Sequence, residues 1–361
     1  MNARTDRLER DPADWTGYLA AVAEAGAPYE GRHRLGRFHY VHPARLQPGT
    51  PARLKRPYEV SLAYTDWGPR DAPVVVCCGG VANVAMRFAE LALALSREHR
   101  VVCLDWAGRG RSAWLSEQSD YSRESCTEQL RQLVAHLGGR PVTIVGSSLG
   151  GSAAIAFAAR QPRLVRQLVL NDIGPAMPAR RRRRRAETLA RHYVFAAPGD
   201  LLRRLGAAQK NDGPASDAFR LWLGFHQTRW SDDDGGRVYR HDIRALQAYR
   251  LDAANPVDQW ADWQRVRCPA LVIHGLRSDA LVGPTIRRMQ HGPAVAVMHV
   301  PETGHTPLLT DANQIHFIAD WLSAPSAAEW TALLAEPQRA ARQASTTTST
   351  SLTTNSTALA A

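Results

Sequence analysis

The sequence predicts an α/β fold, a mostly parallel, doubly wound sheet with a helical lid inserted after the sixth strand. Two observations predict it. From Tyr58 onward, short apolar runs alternate with helical patterns, which is typical of a parallel sheet covered by helices on both faces. After the apolar run 168–170 this alternation stops, and it resumes only at Ala270. We therefore expect a core formed by residues 51–175 and 264–325, with the helical, Arg- and Trp-rich stretch 176–263 as the lid.

The individual elements follow from local patterns. Residues 1–50 predict an N-terminal extension that contains an amphipathic helix and a short strand at 37–41. Ser122 is a good N-cap for a helix that ends before the Gly138-Gly139 pair. The predicted strands are 58–68, 74–78, 101–104, 142–145, 168–170, 270–273 and 295–300, and the remaining predicted core helices are 86–97 and 313–322. The Ser/Thr/Ala-rich tail, 337–361, has few large apolar residues and is predicted to be disordered.

Composition narrows the class of protein. With 361 residues and 44% apolar content, the chain can bury a large core. Its five cysteines are odd in number and none forms a Cys-x-x-Cys pair, so we expect reduced thiols and neither a disulfide framework nor a zinc site. The first thirty residues carry charges throughout, and no segment is long enough to span a bilayer, so a cytoplasmic protein is expected. No metal-ligand set or cofactor motif is evident.

The net charge of +11 comes partly from an arginine run, Arg180 to Arg185. Such a run can contact nucleic acid or an anionic surface. Six consecutive arginines surround a helix completely, however, and no aromatic residues are interleaved for base stacking. A solvated helix face is therefore the favoured interpretation.

The stretch 142–151, Val-Thr-Ile-Val-Gly-Ser-Ser-Leu-Gly-Gly, predicts a nucleophile elbow. An apolar strand leads into Gly146-x-Ser148-x-Gly150, and a helix of small residues follows. A serine on such a tight strand-to-helix turn has strained backbone, and side chains two residues before and after it would collide. Ser148, and not Ser147, fits this frame as the nucleophile.

A serine hydroxyl needs a base to accept its proton and a carboxylate to orient that base. His305 follows the last predicted strand in a Gly-His turn, and Asp279 lies just beyond the preceding strand. All three residues then reach the carboxyl edge of the sheet, in the chain order Ser, Asp, His. Asp172, which follows an earlier strand, is the alternative acid. We favour Asp279 because of its place in the chain order.

An acyl-transfer site also needs two amide donors for the oxyanion. One is expected to be the N–H of Leu149, directly after the nucleophile. The other is expected from Val81, in the Gly-rich turn after strand 74–78. The glycines there would equally suit an ordinary strand-end turn.

From about Pro57 to Leu322 the chain resembles lid-bearing α/β-hydrolase-fold enzymes of the serine esterase and carbon-carbon hydrolase group. The segment 104–112 (Leu-Asp-Trp-Ala-Gly-Arg-Gly-Arg-Ser) is similar to the family's loop after the fourth strand, and 168–175 to the run that enters the lid. The resemblance implies structural roles for Asp105, Arg109 and Ser112. It also implies a triad of Ser148, Asp279 and His305. The chain has Gly79-Gly80 where the family usually has His-Gly, so the hydrogen bonding of this loop differs.

The leading hypothesis is a serine hydrolase that cleaves a carboxylic ester through an acyl-enzyme on Ser148, with a small-molecule acyl substrate. Carbon-carbon (vinylogous diketone), lactone and thioester hydrolysis use the same triad and stay open. A non-enzymatic binding module and an arginine-driven binder of anionic polymers are less favoured alternatives. The lid aromatics, Phe195, Phe219, Trp222, Phe225 and Trp230, are expected to form the lid's own core more readily than an acyl pocket.

Overall fold

The computed structural model describes residues 15–43 and 57–323. The strands in this part are β1 (His33–His42), β2 (Tyr58–Trp67), β3 (Val74–Cys78), β4 (Arg100–Leu104), β5 (Val142–Ser147), β6 (Val165–Asn171), β7 (Ala176–Met177), β8 (Val194–Phe195), β9 (Thr228–Ser231), β10 (Gly236–Tyr239), β11 (Val257–Asp258), β12 (Ala270–Gly275) and β13 (Val295–Val300). The α-helices are α1 (Thr16–Gly26), α2 (Ala89–Leu95), α3 (Arg123–His136), α4 (Leu149–Arg160), α5 (Ala179–Leu189), α6 (Pro198–Gln209), α7 (Asp217–Gln227), α8 (Ile243–Asp252), α9 (Trp260–Trp263), α10 (Gly283–Met289) and α11 (Ala312–Ser323).

Eight strands form one sheet in the order β1-β2-β4-β3-β5-β6-β12-β13. The six strands from β4 to β13 in this order are mutually parallel. At one edge, β2 pairs antiparallel with β4, and β1 pairs antiparallel with β2. This confirms the predicted fold class. Because β5, β6 and β12 are neighbours, the turns that leave their carboxyl ends open onto the same edge of the sheet.

The central strand β5 is buried along its whole length, as expected for a parallel strand with helices on both faces. The helix that follows it, α4, has alanines at Ala153, Ala154, Ala156 and Ala158, and all four are buried. Small side chains let this helix lie close to the sheet. Each fully buried Val, Leu or Ile side chain of this core contributes roughly 1.5–3 kcal/mol by leaving water.

The predicted N-terminal extension is only partly separate from the core. Strand β1 pairs with β2 over its full length, from His33 opposite Trp67 to His42 opposite Tyr58. Residues 33–42 therefore belong to the sheet and not to a separate extension. The sequence underestimated this strand because its outward side chains are polar and exposed, which leaves only a weak apolar alternation. The predicted disordered tail, 337–361, lies outside the described residues.

Between β6 and β12 the chain forms five helices and two small sheets, β8-β10-β9 and β11-β7. We call residues 176–263 the inserted segment. Among its aromatic residues, Phe195, Phe219 and Trp222 are buried. Trp222 stacks on Tyr29, which follows α1, with ring centroids 4.3 Å apart. Tyr29 also contacts Phe219 edge-on. These aromatics therefore join the inserted segment to the N-terminal part of the chain.

All five cysteines are unpaired and buried. Among the described residues, no group of three or more His, Cys, Asp or Glu side chains is arranged to hold a metal ion. The same part of the chain has no helix that is both long enough and apolar enough to cross a bilayer.

Candidate active site

Ser148 lies in the turn between β5 and α4, where its backbone has φ 50° and ψ −114°. A non-glycine residue with positive φ is strained, and such strain persists only where the surrounding packing enforces it. The neighbouring glycines show why. A Cβ on Gly146 would lie 2.5 Å from the Cα of Gly151, and one on Gly150 would lie 2.2 Å from the carbonyl oxygen of Cys78. Larger residues would force the turn open, so these positions hold the serine in place.

His305 lies in the loop after β13 and faces the serine. Its Nε2 is 3.1 Å from Ser148 Oγ, and its Nδ1 is 2.7 Å from Asp172 Oδ2. The ring is mostly buried, with 14% of the side chain exposed, and Asp172 is fully buried. Because Nδ1 carries the hydrogen that it donates to the carboxylate, Nε2 is left as an acceptor for the serine proton. Ser148, His305 and Asp172 thus form a continuous hydrogen-bonded chain.

Burial lowers the pKa of His305 below its usual value of 6.5. The hydrogen bond to Asp172 opposes this shift, while the positive charges of Arg181 and Arg185 add to it. The imidazole is therefore neutral at pH 7. A neutral imidazole is the form that can accept a proton.

The structure does not bring Asp279 to His305. Its side chain is 66% exposed, and its Oδ1 accepts a hydrogen bond of 3.0 Å from Arg181 Nε on α5. Partial burial acts to raise the pKa of Asp279, but the hydrogen bond and charge of Arg181 outweigh it and lower the pKa. The preference for Asp279 over Asp172 is thus corrected by the geometry. Chain order favoured the later loop, whereas Asp172 is the carboxylate that turns inward.

Asp172 is held from several sides. It has φ 55°, and its N–H donates to the carbonyl of Ile273 on the neighbouring strand β12 at 2.7 Å. Its Oδ1 accepts from the Gly275 N–H at 3.1 Å, and its Oδ2 accepts from Ser278 Oγ at 2.5 Å. These donors, together with His305, hold the carboxylate in one orientation. The loop after β12 therefore serves the site through Gly275 and Ser278.

Asn171, the last residue of β6, joins the elbow to the histidine loop. Its Nδ2 donates to Ser147 Oγ and to the carbonyl of Pro307, both at 2.9 Å. Neither Asn171 nor Ser278 was singled out from the sequence. The only available signal was their adjacency to the two candidate aspartates.

The two predicted oxyanion donors border one cavity with the nucleophile. Val81, Ser148 and Leu149 all line a cavity of about 270 Å³. Leu149 begins α4, so its N–H has no acceptor within the helix and is available to a ligand. A Cβ on Gly80 would lie 3.4 Å from the Cβ of Ser148, so the turn after β3 packs directly on the nucleophile.

This turn, residues 79–83, is held by groups other than the usual histidine. The Gly80 N–H donates to Asn83 Oδ1 at 2.8 Å, and Trp106 Nε1 donates to the Gly79 carbonyl at 2.8 Å. Arg109 Nε donates to the Val81 carbonyl at 2.9 Å. The carbonyl groups of Gly79 and Val81 are therefore occupied by hydrogen bonds from Trp106 and Arg109.

Asp105 and Ser112 lie within the loop after β4 and make local hydrogen bonds. Asp105 accepts the N–H groups of Ala85 and Arg111 at 2.6 and 2.9 Å. Ser112 Oγ donates to the Asp105 carbonyl and accepts the Ala63 N–H. These hydrogen bonds join the loop after β4 to Ala63 on β2 and to Ala85.

The arginine run forms most of α5 and is not simply a solvated face. Arg182 is buried and is bound by Asp252 and by the carbonyls of Asp252 and Asn255. Arg181 contacts Asp279, whereas Arg183, Arg184 and Arg185 are exposed. One side of this helix thus faces the site and the other faces solvent.

Most of the surface of the active-site cavity is apolar, and its apolar and aromatic lining includes Tyr121, Ile173, Met177, Tyr249 and Val257. Charged side chains line it as well, namely Arg109, Arg123, Glu124, Arg182 and Asp252. None of the five aromatic residues considered for an acyl pocket lines this cavity.

The family model of the α/β hydrolase fold matches residues 72–312, which contain the elbow, Asp172 and His305. The chain belongs to the α/β hydrolase family. It is similar to a 3-hydroxybutyrate-oligomer hydrolase of Cupriavidus necator, with 30% identity over 277 residues that cover 74% of this chain and 92% of that protein. An esterase of Mycobacterium tuberculosis is also 30% identical, over 68% of this chain and 80% of its own length.

Solved structures agree on the fold. An α/β hydrolase from Novosphingobium aromaticivorans superposes with a TM-score of 0.67 at 24% identity, covering 80% of this chain and 97% of that one. At this identity the likeness concerns the fold alone. The family model and the curated relatives make the protein an enzyme of the α/β hydrolase class.

Proposed function

We propose that the protein hydrolyses carboxylic esters through an acyl-enzyme on Ser148, with His305 as general base and acid and Asp172 as the orienting carboxylate. The observation that carries the proposal is the hydrogen-bonded chain from Ser148 Oγ through His305 to Asp172 Oδ2. The esterase and oligomer-hydrolase relatives support the choice of ester bonds.

The reaction follows from the geometry. His305 Nε2 accepts the proton of Ser148 Oγ as that oxygen bonds to the ester carbon, and the carbonyl oxygen becomes an oxyanion beside the N–H groups of Val81 and Leu149. His305 then donates this proton to the departing alcohol as the carbon-oxygen bond breaks. In the second half, His305 activates a water that attacks the acyl carbon, which releases the acid and restores the serine.

The substrate that we propose is a short oligomer of 3-hydroxybutyrate or a related hydroxy acid. The similarity to the oligomer hydrolase supports this choice because it spans 92% of that protein. The apolar cavity of about 270 Å³ suits a small acyl group better than a long chain. We also propose that the inserted segment acts as the lid, since its Met177, Arg182 and Tyr249 line this cavity together with Ser148.

Ester hydrolysis is tested with purified protein at pH 8 on p-nitrophenyl acetate, butyrate and octanoate, and on the 3-hydroxybutyrate dimer. Ser148→Ala is expected to lower kcat by on the order of 10³-fold or more, because no other group can form the acyl-enzyme. Ser116→Ala is the matched control, since its exposed side chain lies outside the cavity.

Turnover that survives in Ser148→Ala would contradict the acyl-enzyme. If the wild-type protein cleaves none of these esters but cleaves a vinylogous diketone, the carbon-carbon hydrolase alternative replaces ester hydrolysis.

A further inference from the structure

A second cavity lies next to the active site and is lined by several arginines. Its volume is about 90 Å³, against about 270 Å³ for the active-site cavity. Its walls come from the turn after β3, from α5 and α6, and from β10. We call it the arginine pocket. The residues used below are Asn83, Arg87, Arg185, Arg204, Gln209 and Asp212.

Positive charge exceeds negative charge around this pocket. Arg87, Arg185 and Arg204 line it, whereas Asp212 is its single acidic residue. Asp212 is already 3.4 Å from Arg87 Nη1. His241 also lines the pocket, and burial lowers its pKa to about 4, so it is neutral at pH 7. Two guanidinium groups therefore remain without a carboxylate partner in the described part of the chain.

Two donors in this pocket are buried without an acceptor. They are Arg204 Nε and Gln209 Nε2, and Gln209 is only 5% exposed. Arg204 also lies over the ring of Tyr193, with its guanidinium carbon 4.2 Å from the centroid, which fixes its plane. A buried donor that lacks an acceptor costs free energy unless a ligand or water supplies one. These two donors are therefore suited to an anionic oxygen.

Two of the arginines that line the active-site cavity differ in this respect. Arg182 is bound by Asp252 and two carbonyls, and Arg109 donates to the carbonyls of Val81 and Ala107. The third, Arg123, is exposed and lies next in sequence to Glu124, which lines the same cavity. The buried donors of the arginine pocket are therefore the better candidates for binding an anion.

The two cavities share the turn after β3. Val81 lines the active-site cavity, while Ala82 and Asn83 line the arginine pocket. Val81 and Ala82 are consecutive residues, so the two cavities adjoin along this turn. Arg87 also contacts the carbonyl of Thr306, the residue after His305. The arginine pocket thus adjoins both the turn that carries Val81 and the loop that carries His305.

We propose that the arginine pocket binds the free carboxylate of the ester substrate through Arg185, Arg204 and Gln209. This inference rests on the proposed ester hydrolysis and deepens it, because it makes the enzyme selective for esters whose alcohol part is a hydroxy acid with a free carboxylate. A terminal carboxylate is what distinguishes a hydroxy-acid oligomer from a neutral ester.

The test compares two substrates, the 3-hydroxybutyrate dimer and its C-terminal primary amide, which has the same scissile ester but no charge. The measured quantity is the ratio of kcat/KM for acid over amide. We expect a ratio of about 10 to 100 for the wild-type enzyme, the range given by one or two charge-assisted hydrogen bonds. Arg204→Gln and Arg185→Gln are each expected to lower the ratio about tenfold, and Arg204→Lys to restore part of it.

The matched control is Arg183→Gln, which removes an exposed arginine of the same helix that does not line the pocket. It is expected to keep the wild-type ratio. A fall in Arg183→Gln equal to that in Arg185→Gln would assign the preference to overall positive charge and overturn the proposal. So would a wild-type ratio near one. Circular dichroism and turnover of p-nitrophenyl butyrate show whether each variant is folded.

Two further outcomes separate this inference from its alternatives. If acetate or inorganic phosphate changes turnover of neutral p-nitrophenyl butyrate, and Arg204→Gln abolishes that effect, the pocket is a site for free anions and not for the substrate. If the wild-type enzyme cleaves p-nitrophenyl butyrate but its ratio of kcat/KM for acid over amide is near one, only the carboxylate site is contradicted. If the wild-type enzyme cleaves none of these esters, the proposed function fails and this inference fails with it.

Discussion

Two loops leave neighbouring strands at the carboxyl edge of the sheet, and each carries an aspartate. In the loop after β6, Asp172 is fully buried, has positive φ and accepts hydrogen bonds from Gly275, Ser278 and His305. In the loop after β12, Asp279 is mostly exposed and contacts Arg181. The difference teaches that adjacency to a strand end brings a carboxylate near the histidine, while local backbone conformation decides which one reaches it.

The largest expected effect comes from Asp172→Asn. We expect kcat to fall by on the order of 10³-fold or more, because an amide can leave the imidazole in the wrong tautomer and does not stabilise the imidazolium. Steady-state kinetics on p-nitrophenyl butyrate measure this. A loss below about tenfold would return the role of acid to Asp279.

Ser278→Ala removes one donor to Asp172 without touching the other two. We expect kcat to fall about tenfold, since a hydrogen bond to a charged group is lost while Gly275 and His305 still hold the carboxylate. The separation of kcat from KM is the informative readout, because Ser278 does not line the active-site cavity and KM for p-nitrophenyl butyrate should stay at the wild-type value. An unchanged kcat would mean that Ser278 only shapes its own loop.

Arg181→Gln tests the charge near the histidine. The Arg181 cation contributes to lowering the pKa of His305, after burial, so its removal should raise that pKa. Since only neutral His305 accepts the serine proton, the acidic limb of kcat/KM should move to higher pH, with activity at pH 8 within about twofold of wild type. A limb that moves to lower pH would contradict this electrostatic role.

The smallest effect is expected from Asp279→Asn, which should leave kcat at pH 8 unchanged. The substitution removes an exposed negative charge and leaves Arg181 unpaired, and both changes disfavour protonated His305. The acidic limb of kcat/KM for Asp279→Asn should therefore move slightly to lower pH, in the direction opposite to that expected for Arg181→Gln. The two variants form a matched pair, and movement in the same direction would show that the ion pair acts on the fold and not on the imidazole.

The sequence located the nucleophile and base for reasons that are local. The elbow at Ser148 depends on glycines within five residues of it, because their missing Cβ atoms permit the strained turn. His305 was recognised from its place after the final strand of an alternating pattern. The sheet itself was predictable since parallel strands buried on both faces have continuous apolar runs. Some strands were predicted too short, notably β1, with its polar outward face, and β6, which was predicted as 168–170 and spans Val165–Asn171.

The acid and the arginines required the tertiary structure. Asp172 and Asp279 follow strands that become neighbours only when β6 pairs with β12, and no local pattern tells which carboxylate will turn inward. The arginine run has a related limitation. Because six identical residues carry no periodicity, their sequence cannot show which side of α5 is buried. The fold makes that choice, since it buries Arg182, places Arg181 at Asp279 and leaves Arg183 in solvent.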